Sequence, residues 1–122
     1  MNTIRFTEDH EWLRLDGDVA TVGITPYAQN ALGDIVFVQL PEVGETLAAG
    51  VEAVVIESVK AAGGVKMPLA GTVLAVNEAL LESPATVNAD PMNTGWFIQA
   101  RLANPAEFSS LLDQAAYDKL TA

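Results

Sequence analysis

The sequence predicts a compact β-rich domain with short helices at its flanks. Short runs of β-branched and alternating residues recur along the chain, and glycine, proline and aspartate punctuate them every few positions. Helical patterns are brief and lie mainly at the edges of those runs, which argues against a parallel βαβ sheet. With 122 residues, half of them hydrophobic, one domain with one core is expected and disorder is not.

The elements follow in order. Trp12 to Leu15 alternates apolar and polar residues and reads as a strand, and Asp16-Gly17-Asp18 turns it into a second, Val19 to Ile24. Thr25 is placed to cap a short helix with Pro26 at its first position; Tyr27 to Leu32 would continue it and Gly33 would stop it. Ile35 to Leu40 is a further strand, closed by Pro41 and Gly44. Val51 to Val59 and Thr72 to Val76 are separated by Gly63-Gly64, Pro68 and Gly71, and read as the two arms of a hairpin over 51–76. Asn77 to Leu81 suggests a helical turn broken at Ser83-Pro84, and the loop Asp90 to Gly95 leads into a strand from Trp96 to Leu102. Asn104-Pro105-Ala106-Glu107 opens a helical tail over 104–120. Phe108, Leu111 and Leu112 would share one face, and Asp113 would restart a last helix carrying Tyr117 and Leu120. Trp12 and Val73 are expected in the core.

Charge and composition remove whole classes of function. Sixteen acidic residues against six basic ones give a net charge of −10, which repels phosphate backbones and anionic lipids and suits docking on basic protein surfaces. Neither nucleic acid nor membrane is therefore an expected partner. The absence of cysteine excludes disulfides, iron–sulfur clusters and thiol catalysis. No apolar stretch reaches membrane-spanning length, and the first ten residues resemble neither a signal nor a transit peptide, so a cytoplasmic location is expected.

No catalytic apparatus is legible. The only histidine, His10, lies between Asp9 and Glu11 without a spaced metal-ligand set, and reads as a surface or strand-edge residue. The serines lie in no nucleophile-elbow context, and Gly63-Gly64 precedes no helix that would cradle a phosphate. What stands out is Lys60, one of three lysines, in Glu57-Ser58-Val59-Lys60-Ala61 at the predicted hairpin tip. A lysine raised on a rigid turn among small residues is a handle that another enzyme can acylate, although most turn lysines are merely solvated.

That pentapeptide closely resembles the lipoylation motif of the glycine cleavage system H proteins, and the match is colinear over nearly the whole chain. It includes Phe6 to Leu13, Val22 to Thr25 with Ala28-Gln29, Leu32 to Val38, Leu40 to Gly44, Gly71 to Val73, Val76 to Leu80, Pro84 with Val87-Asn88, Asp90-Pro91, Gly95-Trp96, and Leu111 to Asp113 with Tyr117. The resemblance implies a flattened β-barrel-sandwich hybrid of the lipoyl/biotinyl type with an extra N-terminal sheet and C-terminal helices. Residues 1–122 would form a single lipoyl-carrier domain and act as a monomer.

The same resemblance implies a mechanism. Lipoic acid would be joined to Nζ of Lys60 by a lipoyl ligase or transferase. A pyridoxal-phosphate (PLP) dependent glycine decarboxylase would load the aminomethyl group of glycine. A tetrahydrofolate-dependent aminomethyltransferase would remove it, and dihydrolipoamide dehydrogenase would reoxidise the dithiol. The protein itself would not be an enzyme. Glu57, three residues before the lysine, and Gly71, eleven after it, occupy the places that mark the site for the modifying enzyme. Three positions depart from the pattern: Gly64 replaces an aspartate that helps hold the loaded group, and Tyr27 and Ala31 replace histidines. Asp9 and Glu11 are then the acids left for a cleft receiving the aminomethyl arm, Glu11 also reading as a plain surface strand residue. Two alternatives share the fold. One is an H-like protein that delivers lipoate to other enzymes. The other is a biotin carrier, faintly echoed in Val65-Lys66-Met67-Pro68.

Overall fold

The computed structural model describes residues 3–121. Nine strands and short helices follow one another: β1 (Thr3–Phe6), β2 (Glu11–Asp16), β3 (Val19–Ile24), α1 (Pro26–Leu32), β4 (Ile35–Gln39), β5 (Thr46–Leu47), β6 (Glu52–Ser58), β7 (Ala62–Lys66), β8 (Gly71–Val76), α2 (Ala79–Glu82), α3 (Thr86–Ala89), β9 (Ile98–Leu102), a 3-10 helix (Pro105–Ser110) and α4 (Gln114–Leu120). Every strand pairing is antiparallel. Six strands form one sheet in the order β1-β2-β3-β9-β8-β5, and three form a second in the order β4-β6-β7.

Alternation along the strands builds the core. Val22, Val73, Ile98 and Ala100 of the larger sheet meet Ile35, Val38, Val54, Ile56 and Val65 of the smaller one, all in one buried cluster with Leu13 and Phe97. A second cluster of Phe6, Trp12 and Tyr117 fastens α4 to the N-terminal strands, with the Phe6 and Tyr117 rings stacked 4.6 Å apart. The indole N–H of Trp12 donates to the Pro91 carbonyl at 2.9 Å, so burying this ring leaves no polar atom unmatched. Local caps agree with the sequence: Thr25 Oγ1 accepts from the Ala28 N–H at the start of α1, and Asp113 does the same for Ala116 at α4.

The expected hairpin is re-partnered. β6 folds back on β7, with Glu57 opposite Ala62 and Ile56 opposite Gly63, while β8 crosses to the larger sheet between β5 and β9. Gly63 and Gly64 are thus strand residues, not turn residues. Pro68 and Gly71 mark the crossing between sheets, which sequence alternation does not distinguish from a hairpin return. The tail differs too. The segment after Asn104 is 3-10, Asn104 makes no side-chain cap, and Leu112 leaves the helical face to exchange backbone hydrogen bonds with Phe6. β1, β5, β7 and α3 are additions to the expected elements.

Close packing makes two glycines indispensable. A Cβ on Gly71 would stand 2.7 Å from the Arg101 carbonyl oxygen, and one on Gly23 would stand 2.6 Å from the Trp12 ring. Neither neighbour is free to swing aside. Gly71→Ala and Trp12→Ala should each cost several kcal/mol, roughly 2–5 for the emptied tryptophan site, whereas Lys60→Ala should stay within about 0.5 kcal/mol. Urea unfolding of the three variants measures the contrast, and a Lys60→Ala protein as unstable as Trp12→Ala would contradict it.

Candidate functional site

Lys60 sits in the turn Ser58–Ala61 joining β6 to β7, and both Lys60 and Val59 are exposed. Ser58 organises this turn. Its N–H donates to the Ala61 carbonyl at 2.8 Å, and its hydroxyl donates to the same carbonyl while accepting from the N–H groups of Lys60 and Ala61 at 3.2 and 3.1 Å. A third support comes from outside the hairpin: the Val59 N–H donates to the Asp34 carbonyl at 3.0 Å. The main chain of the tip is held on both sides and the lysine side chain is left out of it.

The loop that supports the tip is itself clamped. Gly33 ends α1 with φ +80°, a left-handed conformation that favours glycine, and Asn88 of α3 bridges the loop. Asn88 Nδ2 donates to the Gly33 carbonyl and its Oδ1 accepts from the Ile35 N–H, both at 2.8 Å. The Lys60 stem lies over Gly33, where a Cβ would come within 2.6 Å of Lys60 Cε. Its ammonium forms no ion pair among the described residues. A primary amine that is presented, unpaired and carried on a fixed backbone fits acylation by another enzyme.

The expected acids of the cleft lie away from the tip, on β2 and the turn before it. Asp9 and Glu11 line a cavity of about 340 Å³ together with Phe6, Lys66, Met67 and Leu112, at the opposite end of β7 from Lys60. Four residue steps along the strand take Ala62 to Lys66, about 13 Å at a strand's usual rise. Glu11 is no surface residue: it is 3% exposed, Oε2 accepts from the Lys66 N–H at 2.9 Å and Oε1 accepts from the Thr7 hydroxyl at 3.0 Å. It thereby ties β2 of the larger sheet to the edge strand of the smaller one. Burial pushes its carboxyl above the ordinary carboxylate range, while the hydrogen bonds from Lys66 and Thr7 pull the other way. Asp9 is exposed.

His10 is not a free surface imidazole. It adopts φ +66°, stacks on Tyr27 with ring centroids 4.4 Å apart, and its Nδ1 lies 2.8 Å from the Tyr117 hydroxyl, which reaches Thr25 Oγ1 at 2.6 Å. No group of acids and histidines among the described residues could hold a metal ion. Gly64 is covered by the Glu52 side chain, so a carboxylate already stands where the departure at that position removes one. Tyr27 and Ala31 are exposed on α1. Lys66 lies within β7, away from the tip, so the biotin echo falls on a lysine that the turn does not present.

Glu57 and Gly71 are separated by the structure. Glu57 is exposed on β6 beside the tip, opposite Phe37 and Ala62. Gly71 is buried between Leu47 and Leu102, and the space left by its missing side chain is taken by a backbone carbonyl, not left open to a partner. The sequence missed Ser58, Asp34, Gly33 and Asn88 as supports of Lys60. Only Ser58 carried a local signal, a hydroxyl two residues ahead of the lysine in a tight turn.

Residues 4–122 match the family model described as glycine cleavage H-protein. A glycine cleavage system H protein 1 from Pseudomonas aeruginosa is 59% identical over 121 residues, covering 98% of this chain and 94% of its own. The glycine cleavage system H protein of Parvibaculum lavamentivorans is 57% identical over 119 residues, covering 98% of this chain and 95% of its own. The crystal structure of an H protein from Mycobacterium marinum superposes with a TM-score of 0.88 at 38% identity, covering 97% of this chain and 95% of that one. That likeness fixes the two antiparallel sheets as a barrel-sandwich of the lipoyl type. Full-length sequence matches, the shared fold and a lysine presented on a braced turn agree, and the chain belongs to the glycine cleavage H-protein family, whose members are non-catalytic lipoyl carriers.

Proposed function

We propose that Lys60 is the residue that carries lipoic acid, in amide linkage to Nζ. The observation that carries this reading is the exposed, unpaired amine on a turn whose supports all act on main-chain atoms. Acylation removes the ammonium charge, and because that charge has no partner to lose, modification leaves the fold undisturbed. With the carboxyl delivered as an acyl adenylate, the amide forms as the acyl–phosphate bond breaks, releasing AMP and a proton. Once bound, the lipoyl group supplies a redox-active dithiolane, which the chain without cysteine does not provide.

The carrier shuttles the aminomethyl group of glycine. In this reading it visits a PLP-dependent decarboxylase, a tetrahydrofolate-dependent aminomethyltransferase and dihydrolipoamide dehydrogenase in turn, as a cytoplasmic monomer. Each visit is brief because tethering raises the local concentration of the reacting group and relieves the docking surface of the need for high affinity. Glu57, beside the tip, is read by the enzyme that attaches lipoate; Gly71 contributes through the strand packing it permits. Asp9 and Glu11 line the cavity that would shelter the amine end of the arm, and Lys60 lies one strand length away.

Lipoyl ligase with lipoate and ATP should add one lipoyl mass, mapped to the peptide containing Lys60, and Lys60→Arg should abolish it because a guanidinium is not acylated in this way. Label on Lys66 or Lys119, or label surviving in Lys60→Arg, overturns the assignment.

Glu11→Gln separates the two roles given to that carboxyl. A glutamine can still accept from the Lys66 N–H and can donate to Thr7 Oγ1, so the tie between sheets persists. Burial raises the folded pKa of Glu11 above 4.5, the ordinary value for glutamate. Its contribution to stability is therefore complete below that value and lost as pH rises through the folded pKa. Urea unfolding should show the glutamine variant gaining on the parent as pH rises above about 4.5 and through the folded pKa. If Glu11 also meets the loaded arm, the variant should release ammonia and formaldehyde faster without tetrahydrofolate or aminomethyltransferase. An unchanged release rate removes Glu11 from the arm's path.

A further inference from the structure

We infer that the outer face of the β4-β6-β7 sheet is the surface on which the lipoate-attaching enzyme docks, with Phe37 as its apolar anchor; this rests on Lys60 being the acylated residue. The inner face of this sheet is spent on the core through Ile35, Val38, Val54, Ile56 and Val65. The outer face shows two rows across all three strands: Phe37, Glu57 and Ala62 next to the tip, and Gln39, Val55 and Gly64 behind it. Phe37 is 45% exposed, a large cost for a phenylalanine that could have packed inward. Ala62 is small enough for another surface to lie flat against it, and Val59, 66% exposed, extends the apolar area to the turn itself.

Charge selects the kind of partner. Glu57 stands at the centre of the first row and the Glu52 carboxylate lies over Gly64 in the second, with Asp34 exposed at the tip's support loop. An apolar strip with embedded carboxylates on a chain of net charge −10 is complemented by an apolar hollow rimmed with lysine and arginine.

Reach selects which enzyme. Before modification the reacting nitrogen stands at the end of a four-carbon stem, so a catalytic centre must come within that stem's length of the tip. The enclosing surface must then rest on the residues beside the turn. After acylation the longer arm lets later partners stand further off. The face immediately beside Lys60 is needed most by the enzyme that must grasp the bare amine.

The test measures kcat/KM for ligase-catalysed lipoyl attachment by intact mass, on the full apo chain, for Phe37→Ser, Ala62→Arg, Glu57→Gln and a control, Leu74→Ser, on the larger sheet. Thermal melts establish that each variant is folded. The same variants, driven to full lipoylation with excess ligase, are then assayed for reduction by dihydrolipoamide dehydrogenase. Phe37→Ser and Ala62→Arg should each lose about tenfold or more in attachment, mainly through KM, while the control and the dehydrogenase assay change little. The loss in Glu57→Gln should shrink as ionic strength rises. Folded variants that are acylated at the parent rate overturn the inference, and so does an equal loss in both assays, which would assign the face to every partner. A parent chain that accepts no lipoate at all would instead overturn the assignment of Lys60.

Discussion

The proposed acylation of Lys60 by a separate enzyme sets a demand on this molecule: the backbone carrying the amine must be immobile while the side chain remains free. Contacts that immobilise a lysine usually involve its ammonium, which would compete with its chemistry. Here every support acts one step away. The Ser58 hydroxyl and the Asp34 carbonyl hold the main chain of the turn, and Asn88 holds the loop that contains Asp34. The amine is positioned by bonds in which it takes no part.

The support extends deeper than the hairpin. α1 runs from Thr25, whose hydroxyl caps the helix and meets Tyr117, to Gly33 beneath the Lys60 stem. Tyr117 in turn stacks on Phe6 and lies within hydrogen-bond distance of His10. The C-terminal helix, remote in sequence, is thus one end of a continuous packed path to the tip. Glu11 adds a second tie, joining the edge strand β7 to the larger sheet. A flat sandwich of two sheets can shear, and these lateral bonds resist that motion where the hairpin projects.

The sequence made some of this legible. The Thr25-Pro26 start and Gly33 stop of α1, the strands from Trp12 to Ile24, and Lys60 at a tip follow from local rules of capping, alternation and turn chemistry. The pairing of β6 with β7 was not legible, because Ala62 to Lys66 contains two glycines and little β propensity, so the stronger strand β8 looked like the partner. Burial of Glu11 was hidden for a different reason. A carboxylate between a histidine and a tryptophan reads as polar surface, and the donors that satisfy it, Thr7 and Lys66, include one that lies 55 residues away. Asn88 shows the same limit: its two acceptor–donor bonds to the Gly33–Ile35 loop span a separation no local pattern encodes.

The pairing of β4 with β6 is irregular between Ile35 and Phe37, and β4, like β7, is an edge strand of the smaller sheet. A straight edge strand bearing Val36 and Phe37 would be a template for self-assembly, since its unpaired amides and carbonyls could zip onto a second copy. The irregularity breaks the repeat of those groups and twists the strand, and a net charge of −10 on each copy opposes their approach. Resistance to edge-to-edge pairing is therefore written into the hairpin's neighbour. A carrier of this family can keep Val36 and Phe37 on view without offering a straight edge to a second copy.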